Sequence, residues 1–293
     1  IIGPVPVPGL PDTVVDSSNV VEFLTRGQYT AFPDKVAADD GVTKLVDEIF
    51  GTFVSTRLPS PEEIGDLFGD LARERRLRFV SMNPDDRALL DRMNLSVTVP
   101  VGDDHDLLGI VSRNANPSKI DSFLRWESVY RVDWDPETGE ITARVEVTLH
   151  NDAPSDGLPP VVIGNSGGRF PGTNVTTLGV ITPFELKSVA VDGSSHPVSP
   201  VWEGEWWRHT VRVEVPAGGS TSVTMNLRGD LPAGDTYSLA TIGQALLDPG
   251  PLDVVVRTPE REFVDGPDVA VGAHTASVSL DLLGDGVVRL DTE

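Results

Sequence analysis

Apolar and polar residues alternate strictly along two neighbouring segments in the middle of the chain. In the first segment, one face carries Trp126, Ser128, Tyr130, Val132 and Trp134. In the second segment, one face carries Ile141, Ala143, Val145, Val147 and Leu149. The connection between them, residues 135–139 (DPETG), contains the Pro and Gly that a turn needs. This period of two predicts a β-hairpin with one buried face.

In the first third of the chain, apolar residues recur at helical spacing. Residues 1–15 are rich in Pro and are predicted to be extended, whereas Asp16–Ser18 can cap a helix over residues 19–24. Apolar positions from Val36 to Phe53 predict a longer helix over roughly residues 36–56. Ser60 and Glu63 form a capping box at the start of another helix, and Asn83 begins a further one. This part is predicted to be mainly helical.

The period changes near residue 95. The segments SVTVPV (96–101) and LLGIVSR (107–113) predict strands joined by an acidic loop, residues 102–106. Beyond residue 123, turn signals recur between short Val- and Thr-rich runs, with a short helical turn near Ile242–Leu247. Strands at this spacing predict a β-sandwich. The predicted fold class is α+β, with a helix-rich part over residues 1–120 and an all-β part of one or two subdomains over residues 121–293.

The chain of 293 residues is strongly acidic, with a formal net charge of −22 and an isoelectric point near 4.4. An acidic surface repels phosphates, so we expect no nucleic-acid partner. Cys is absent, which excludes disulfides, thiolate metal ligands and a cysteine nucleophile. No apolar run approaches the roughly 20 residues that a membrane-spanning helix needs. Because the chain starts at Ile1 without Met, we expect it to be a processed or partial piece of a longer protein.

Several segments, taken in order, resemble the domain-of-unknown-function family 4012. They are GPVPVPG (3–9), SSNVVEFL (17–24), QYTAFPD (28–34), RNANPSKIDSFLRWESVYRV (113–132), DPETGEITARVEVTLHNDAPSDGLPPVVIGN (135–165) and GRFPGTN (168–174). The resemblance covers residues 3 to about 185. Members of that family are cell-envelope proteins, frequent in actinobacteria, and usually carry an N-terminal membrane anchor. The resemblance implies an extracytoplasmic protein at the cell membrane or cell wall of a bacterium.

Part of that family is similar to the LytR-CpsA-Psr phosphotransferases, which move polymers from a polyprenyl-pyrophosphate carrier to the cell wall. This similarity implies that residues 1–120 are the helix-rich back half of an α/β domain. Those enzymes use a divalent metal and hold pyrophosphate with several Arg side chains, whose planar guanidinium groups match phosphate oxygens. Where one such Arg cluster is expected, residues 34–44 (DKVAADDGVTK) contain Lys35 and Lys44 but no Arg.

The strongest basic cluster of the sequence consists of Arg73, Arg75, Arg76 and Arg78. Two interpretations stay open. Arg73, Arg75 and Arg76 are candidates for contact with a phosphate or with an anionic membrane surface. Alternatively, they are the polar end of a helix, where positive side chains complement the negative end of the helix dipole.

Candidate metal ligands are few. The loop with Asp103, Asp104, His105 and Asp106 offers oxygen ligands for a hard cation, or else is a solvated connection between strands. The five His residues are scattered, and no phosphate-binding loop, serine-nucleophile motif or zinc-protease motif occurs. The Gly-rich residues 164–169 follow a predicted strand at Pro159 and Pro160 and are expected to supply positive φ angles in a loop. We expect no metal, no cofactor and no catalytic residue.

The densest aromatic group is formed by Trp202, Trp206 and Trp207, followed by Arg208 and His209. Aromatic faces stack on sugar rings, and Trp is enriched at protein interfaces. Trp206 and Trp207 are adjacent in a predicted strand, so we expect them on opposite faces, one in the core and the other exposed. Trp202, Trp206, Trp207 and Arg208 are therefore the candidate ligand-binding residues, with structural packing as the alternative.

Two hypotheses of function result. In the first, the chain is a noncatalytic, membrane-tethered envelope protein that acts as a binding or scaffold module for an envelope polymer or a membrane-protein partner. The Trp group and the missing Arg cluster favour it. In the second, the intact protein is a LytR-CpsA-Psr-like phosphotransferase that attaches glycopolymers to the cell wall.

Overall fold

The computed structural model describes residues 3–55, 60–93, 95–96, 104–164, 168–248, 250–266, 268–282 and 284–293. Of the strand predicted over residues 96–101, all but Ser96 lies outside the described residues. In the described part of the chain, no helix is long and apolar enough to cross a membrane.

Helices dominate the first third of the chain and strands dominate the rest. The helices are α1 (Val20–Glu22), α2 (Gln28–Ala31), α3 (Lys35–Ser55), α4 (Pro61–Arg73), α5 (Pro84–Arg92) and α6 (Pro160–Ile163). A π-helical segment, Phe23–Gly27, joins α1 to α2, and a 3₁₀ turn, Ile120–Phe123, precedes the central hairpin. This composition is compatible with the predicted α+β class.

The strands extend from the N-terminal segment to the end of the chain. In chain order they are β1 (Val5–Val7), β2 (Leu10–Val15), β3 (Asp106–Asn114), β4 (Leu124–Trp134), β5 (Glu140–Asn151), β6 (Asn174–Thr182), β7 (Glu185–Val191), β8 (Ser194–Ser195), β9 (Ser199–Trp202), β10 (Trp207–Val215), β11 (Ser220–Asp230), β12 (Thr236–Ile242), β13 (Pro251–Arg257), β14 (Ala270–Gly272), β15 (Thr275–Asp281) and β16 (Gly286–Asp291).

Two large sheets pack against one hydrophobic core. Their strand orders are β16-β12-β3-β6-β10-β9 and β14-β15-β13-β4-β5-β11-β7-β8. Neighbouring strands are antiparallel except for the pairs β12–β3 and β13–β4, which are parallel. Residues of both sheets, such as Leu108, Tyr130 and Leu239, are fully buried in the shared core. This two-layer arrangement, hereafter the sandwich, is compatible with the predicted β-sandwich.

The predicted hairpin is confirmed as β4 and β5, which lie in the middle of the eight-stranded sheet. Trp126 pairs with Leu149 and Trp134 pairs with Ile141, so the two apolar faces point to the same side. Both of these faces are buried along their full length. Gly139 closes the turn with a φ of +78°, a conformation that Gly adopts at little cost.

The six-stranded sheet uses residues on both sides of the predicted division near residue 120. β3 precedes that division, yet it pairs with β6 on one side and β12 on the other. The sequence predicted this strand from its apolar run but placed it in the helix-rich part. Its partners lie more than 60 residues further along the chain, so no local pattern indicates the pairing.

The predicted helices of the first third are confirmed, with one change at the start of the first. In α4, Ser60 Oγ accepts from the backbone N of Glu63 and the backbone N of Ser60 donates to Glu63 Oε2, which completes the capping box. The side chain of Asn83 caps α5. In contrast, α1 has no side-chain cap, because the Asp16 carboxylate bonds within its own loop.

A small apolar cluster holds the N-terminal segment together. The extended residues at the start form an antiparallel hairpin, β1 with β2, which packs on α3. The buried members of the cluster are Val5, Val7, Val15, Phe23 and Leu45.

Two predicted elements differ from the structure. The strand expected at Pro159 and Pro160 is the short helix α6, because Pro160 takes the first helical position and Gly164 ends the helix with a φ of +66°. The helical turn expected near Ile242–Leu247 is absent, since β12 continues to Ile242. After it, the side chain of Gln244 makes two hydrogen bonds to the backbone of Ser112, at 2.7 and 2.8 Å, and holds this segment along β3.

Candidate functional site

Three aromatic rings form a row at the edge of the six-stranded sheet. Trp202 at the end of β9 pairs directly with Trp207 at the start of β10, and their ring centroids are 5.1 Å apart at an interplanar angle of 60°. Trp207 also stacks on His209, with centroids 5.9 Å apart and an angle of 14°. Because strand positions two apart share a face, these three rings lie on one side of the β9–β10 pair. We call this set the aromatic row.

A groove of about 550 Å³ runs beside the aromatic row, between the edge strands of the two sheets. One wall comes from β7 and β8 and the other from β9 and β10. The polar and aromatic lining residues include Lys187, Ser188, Ser195, His196, Trp207 and His209. Trp202 lies next to it with 51% of its surface exposed. An exposed indole beside an open groove provides an apolar face for a ligand.

His209 is the residue of the row that lies deepest. Its Nε2 lies 3.0 Å from the carbonyl oxygen of Phe184, and no described residue hydrogen-bonds Nδ1. Burial lowers the pKa of His209 below its ordinary value of 6.5, because the charged form loses its hydration. The ring is therefore neutral near pH 7 and donates its Nε2 proton to that carbonyl. The His209 ring stacks on the flat face of Trp207 and adds no charge to the groove.

Trp206 lies on the opposite side of the strand from the aromatic row. It packs against Leu107, Ala240 and Ile242, which form an apolar patch on the outer face of the six-stranded sheet. Trp206 and Trp207 are on opposite faces, as predicted. The prediction that one is core and the other exposed is wrong, since both are half-buried. The reason is that the outer face carries its own apolar patch while Trp207 lies at the mouth of the groove.

Arg208 shares the outer face with Trp206. The Arg208 guanidinium bonds Glu203 Oε1 at 2.8 Å, and the Trp206 Nε1 donates to Glu203 Oε2 at 3.2 Å. The Arg208 bond holds the pKa of the Glu203 carboxyl below its ordinary value. This network ties the β9–β10 turn together. The four predicted binding residues therefore divide into two pairs, with Trp202 and Trp207 on the groove side and Trp206 and Arg208 behind them.

The groove carries little net charge. Lys187 Nζ bonds Glu185 Oε2 at 2.8 Å, so these opposite charges compensate each other at the groove wall. His196 Nδ1 lies 2.9 Å from the carbonyl oxygen of Pro197. Ser195 contributes a hydroxyl group, whereas the Ser188 hydroxyl already accepts a hydrogen bond from Asn226 Nδ2 at 2.8 Å. The groove thus combines aromatic and hydroxyl surface without a dominant charge.

The basic cluster Arg73, Arg75 and Arg76 joins the end of α4 to the sandwich. Each of these three side chains has an acidic partner, namely Asp70, Asp285 and Glu74 respectively. Arg76 also donates to the carbonyl oxygen of Leu246 at 2.8 Å. Asp285 precedes β16 and Leu246 follows β12, so these contacts link the helical part to two loops of the six-stranded sheet.

The acidic loop is not a solvated connection throughout, because Asp106 is fully buried in the sandwich core. Asp106, Leu108 and Ile110 are alternate residues of β3, and their side chains face the core. The sequence analysis assigned the whole run GDDHD (102–106) to a loop and therefore did not predict the burial of Asp106. Asp104 and His105 remain in the connection, where the Asp104 carboxylate lies 2.9 Å from His105 Nδ1. In the described part of the chain, no group of three or more His, Asp or Glu residues is placed to hold a metal ion; Asp103 lies outside that part.

The Asp106 carboxyl links the two sheets. Its Oδ2 accepts hydrogen bonds from the hydroxyl of Tyr130 at 2.8 Å and from the hydroxyl of Tyr237 at 2.5 Å. Tyr130 belongs to the eight-stranded sheet, whereas Asp106 and Tyr237 belong to the six-stranded sheet. Burial raises the pKa of Asp106 to about 6, although both hydroxyl bonds favour the ionised form. The sequence alternation along β3 could have placed Asp106 inward, but only the assembled sheets supply its partners.

Comparisons with known proteins do not identify the chain. No family model and no curated protein matches it. Among solved structures, a candidate nutrient-binding protein of Legionella pneumophila is similar over 64% of this chain and 71% of its own, with 7% identity and a TM-score of 0.40. A yeast LTA4 hydrolase in complex with bestatin is similar over 58% of this chain and 29% of its own, with 9% identity and a TM-score of 0.36.

An M1 zinc metallopeptidase from Deinococcus radiodurans is similar over 57% of this chain and 42% of its own, with 9% identity and a TM-score of 0.29. The aligned part therefore spans less than half of each of these two enzymes. Likenesses at these TM-scores carry no argument about the fold or the function of this chain.

Proposed function

We propose that this chain is a noncatalytic binding module of a bacterial cell envelope, and that its aromatic row holds a neutral polysaccharide at the edge of the sandwich. The observation that supports this proposal is the Trp202–Trp207 pair, two indoles in contact and partly open to solvent beside a groove.

The chemistry of the groove fits a sugar chain. The apolar C–H face of a pyranose packs on an indole, whose large apolar surface is buried in such a contact. The hydroxyl of Ser195, a residue that lines the groove, can bond to sugar hydroxyls. The net charge of −22 on the whole chain works against strongly anionic polymers. A neutral polymer is thus the best match.

The cellular setting of the proposal rests on the resemblance of residues 3 to about 185 to the domain-of-unknown-function family 4012. That resemblance favours an extracytoplasmic location at the membrane or cell wall, a membrane anchor upstream of Ile1, and an envelope polymer or a membrane protein as partner. The phosphotransferase hypothesis stays an alternative. The structure offers no specific support for it, because Arg73, Arg75 and Arg76 already have carboxylate partners.

The test compares two single Trp replacements four residues apart on opposite faces of the same hairpin. Binding of soluble dextran, amylose, mannan and galactan is measured by affinity electrophoresis and by isothermal titration calorimetry. We expect Trp202→Ala to weaken binding about tenfold, since an exposed aromatic anchor contributes about 1–2 kcal/mol. Trp206→Ala should leave the affinity unchanged, because Trp206 faces away from the groove.

Circular dichroism spectra and thermal melts serve as the folding control for both variants. Equal affinity of Trp202→Ala and the parent chain would remove the aromatic row from the proposal. Absence of binding to every polysaccharide of the panel by the folded chain would refute a neutral glycan as the ligand.

A further inference from the structure

A band of five basic side chains crosses the outer face of the eight-stranded sheet. One of them lies on each of the neighbouring strands β13, β4, β5, β11 and β7. In that order they are Arg257, Arg131, Arg144, Arg228 and Lys187. They line a pocket of about 420 Å³, hereafter the cationic pocket. All five residues are exposed, so a ligand in the pocket can reach their charged groups.

The strand register brings these side chains together. Arg131 of β4 lies directly opposite Arg144 of β5. In the adjacent row of the same face, Arg257 of β13 and Arg228 of β11 flank the β4–β5 pair. Four strand spacings separate β13 from β7, a distance of about 19 Å. The five charges therefore form one continuous band.

The pair at the centre of the band shares a single carboxylate. The guanidinium groups of Arg131 and Arg144 each bond one oxygen of Glu146. Like charges directly opposite each other destabilise a sheet. One carboxylate cannot neutralise two guanidinium groups, so the centre of the band keeps a positive charge. A second anion placed there would relieve the repulsion between the two Arg side chains.

The rest of the band is only partly neutralised. Arg257 makes no ion pair within the described part of the chain, whereas Arg228 and Lys187 each bond one carboxylate. Ion pairs this exposed contribute little free energy, so they do not prevent a ligand from binding. The described carboxylates that bond these cations or line the pocket are Glu140, Glu146, Glu185 and Asp133. Five cations thus face four carboxylates, a local excess opposite in sign to the −22 of the whole chain.

A ligand that uses the whole band must be an anion that can lie across the strands. Planar guanidinium groups match the oxygens of carboxylate, phosphate and sulfate groups. Neighbouring strands are about 4.8 Å apart, which is close to the length of one sugar residue in an extended polysaccharide. Side chains on one face of an extended peptide repeat at about 6.6–6.8 Å and match this spacing less well. The exposed Thr142 hydroxyl in the same lining can bond a sugar hydroxyl.

The charge of the whole chain selects among the anionic groups. The acidic surface outside the band repels anions, which favours singly charged carboxylates over phosphate monoesters with up to two charges. We propose that the cationic pocket binds a polysaccharide segment that carries carboxylate groups, as a chain of uronic acids does. Lys187 also lines the groove beside the aromatic row. The proposal does not rest on the function of that groove, because the four Arg residues of the band are sufficient for a site.

The experiment is isothermal titration calorimetry of the full chain with galacturonic acid oligomers of increasing length, at low and at high NaCl. We expect the affinity to rise up to about four sugar residues, the length of the band, and then to stay constant. The affinity should fall at high NaCl, because salt screens exposed charges. Arg144→Gln and Arg257→Gln should each weaken binding about fivefold, since each removes a charge-assisted hydrogen bond.

A matched replacement on the other sheet makes the test specific. Arg212→Gln removes the same charge from an exposed position of β10 and should bind like the parent chain. Circular dichroism spectra and thermal melts serve as the folding control for all three variants. The proposal is overturned if no oligomer gives saturable heat, or if Arg144→Gln and Arg257→Gln bind with unchanged affinity. It is equally overturned if poly-L-glutamate or polyphosphate binds more tightly than polygalacturonate, because the ligand would then not be a carboxylated polysaccharide.

Discussion

Replacing Asp106 by Asn should stabilise the sandwich more at pH 8 than at pH 5. The carboxyl is buried, and its pKa is raised from 3.8 to about 6 in the folded chain. The folded state therefore holds this proton more tightly than the unfolded state does. The stabilisation of the folded state by this bound proton is fully present below about pH 3.8 and is lost as the pH rises through about 6. The amide of the Asp106→Asn side chain would keep an oxygen that accepts from the Tyr130 and Tyr237 hydroxyls without titrating.

The size of the effect follows from the shift. A pKa difference of about 2.2 between the folded and unfolded states corresponds to about 3 kcal/mol of unfolding free energy over the whole titration. About 1.4 kcal/mol of it falls between pH 5 and pH 8 by the same linkage relation. Among the neighbouring groups, a protonated His105 favours the ionised carboxyl and opposes the change. The variant should thus gain about 1.4 kcal/mol over the parent chain across this interval.

The assay is urea unfolding at pH 5, 6, 7 and 8, followed by the fluorescence of the buried Trp126 and Trp134. The quantity compared is the difference in unfolding free energy between Asp106→Asn and the parent chain. Asp230→Asn, at an exposed carboxyl of β11, is the matched control for the loss of one carboxyl group. A constant difference for Asp106→Asn, or one that falls between pH 5 and pH 8, would refute the argument from burial.

The remaining predictions concern the tyrosine donors and the hairpin turn. Tyr130→Phe and Tyr237→Phe should each cost about 1–3 kcal/mol of unfolding free energy at pH 8, because each removes a bond to a charged acceptor. Both losses should be smaller at pH 5, and equal losses in urea titrations at the two values would contradict the prediction. Gly139→Ala and Gly157→Ala both place Ala at a φ near +80°, which costs about 1–2 kcal/mol. Only at Gly139 would the new Cβ also meet the carbonyl oxygen of Leu231. Calorimetry should therefore show an additional loss of about 1–3 kcal/mol for Gly139→Ala, and similar losses for both would argue against that close approach.

Local patterns were sufficient for the elements whose stabilising contacts lie close in sequence. The capping box of Ser60 and Glu63 joins residues three apart, and the β4–β5 hairpin joins strands across a five-residue connection. In both, the residues that form the contact also carry the pattern that predicts it. The α6 helix shows the limit of such patterns, because a short apolar run after Pro is compatible with a strand or with a helical turn.

The candidate sites were predictable only in part. The sequence indicated the Trp group and placed Trp206 and Trp207 on opposite faces, since successive strand residues point to opposite sides. It did not indicate that Trp202 pairs with Trp207, because that depends on the register of β9 against β10. It did not indicate the groove, whose walls come from distant segments.

The helix starts of α4 and α5, the central hairpin and the inward faces of its strands all follow from the sequence alone, because each depends on spacing within a few residues. The burial of Asp106 between two sheets and its hydrogen-bond partners do not follow from it. This carboxyl is buried between two sheets, with Tyr130 and Tyr237 as donors from 24 and 131 residues away. Burial and hydrogen-bond partners of this kind arise only when the sheets pack together. Alternation with Leu108 and Ile110 along β3 can indicate which side of the strand Asp106 faces, but it gives no sign of the second sheet that covers this carboxyl.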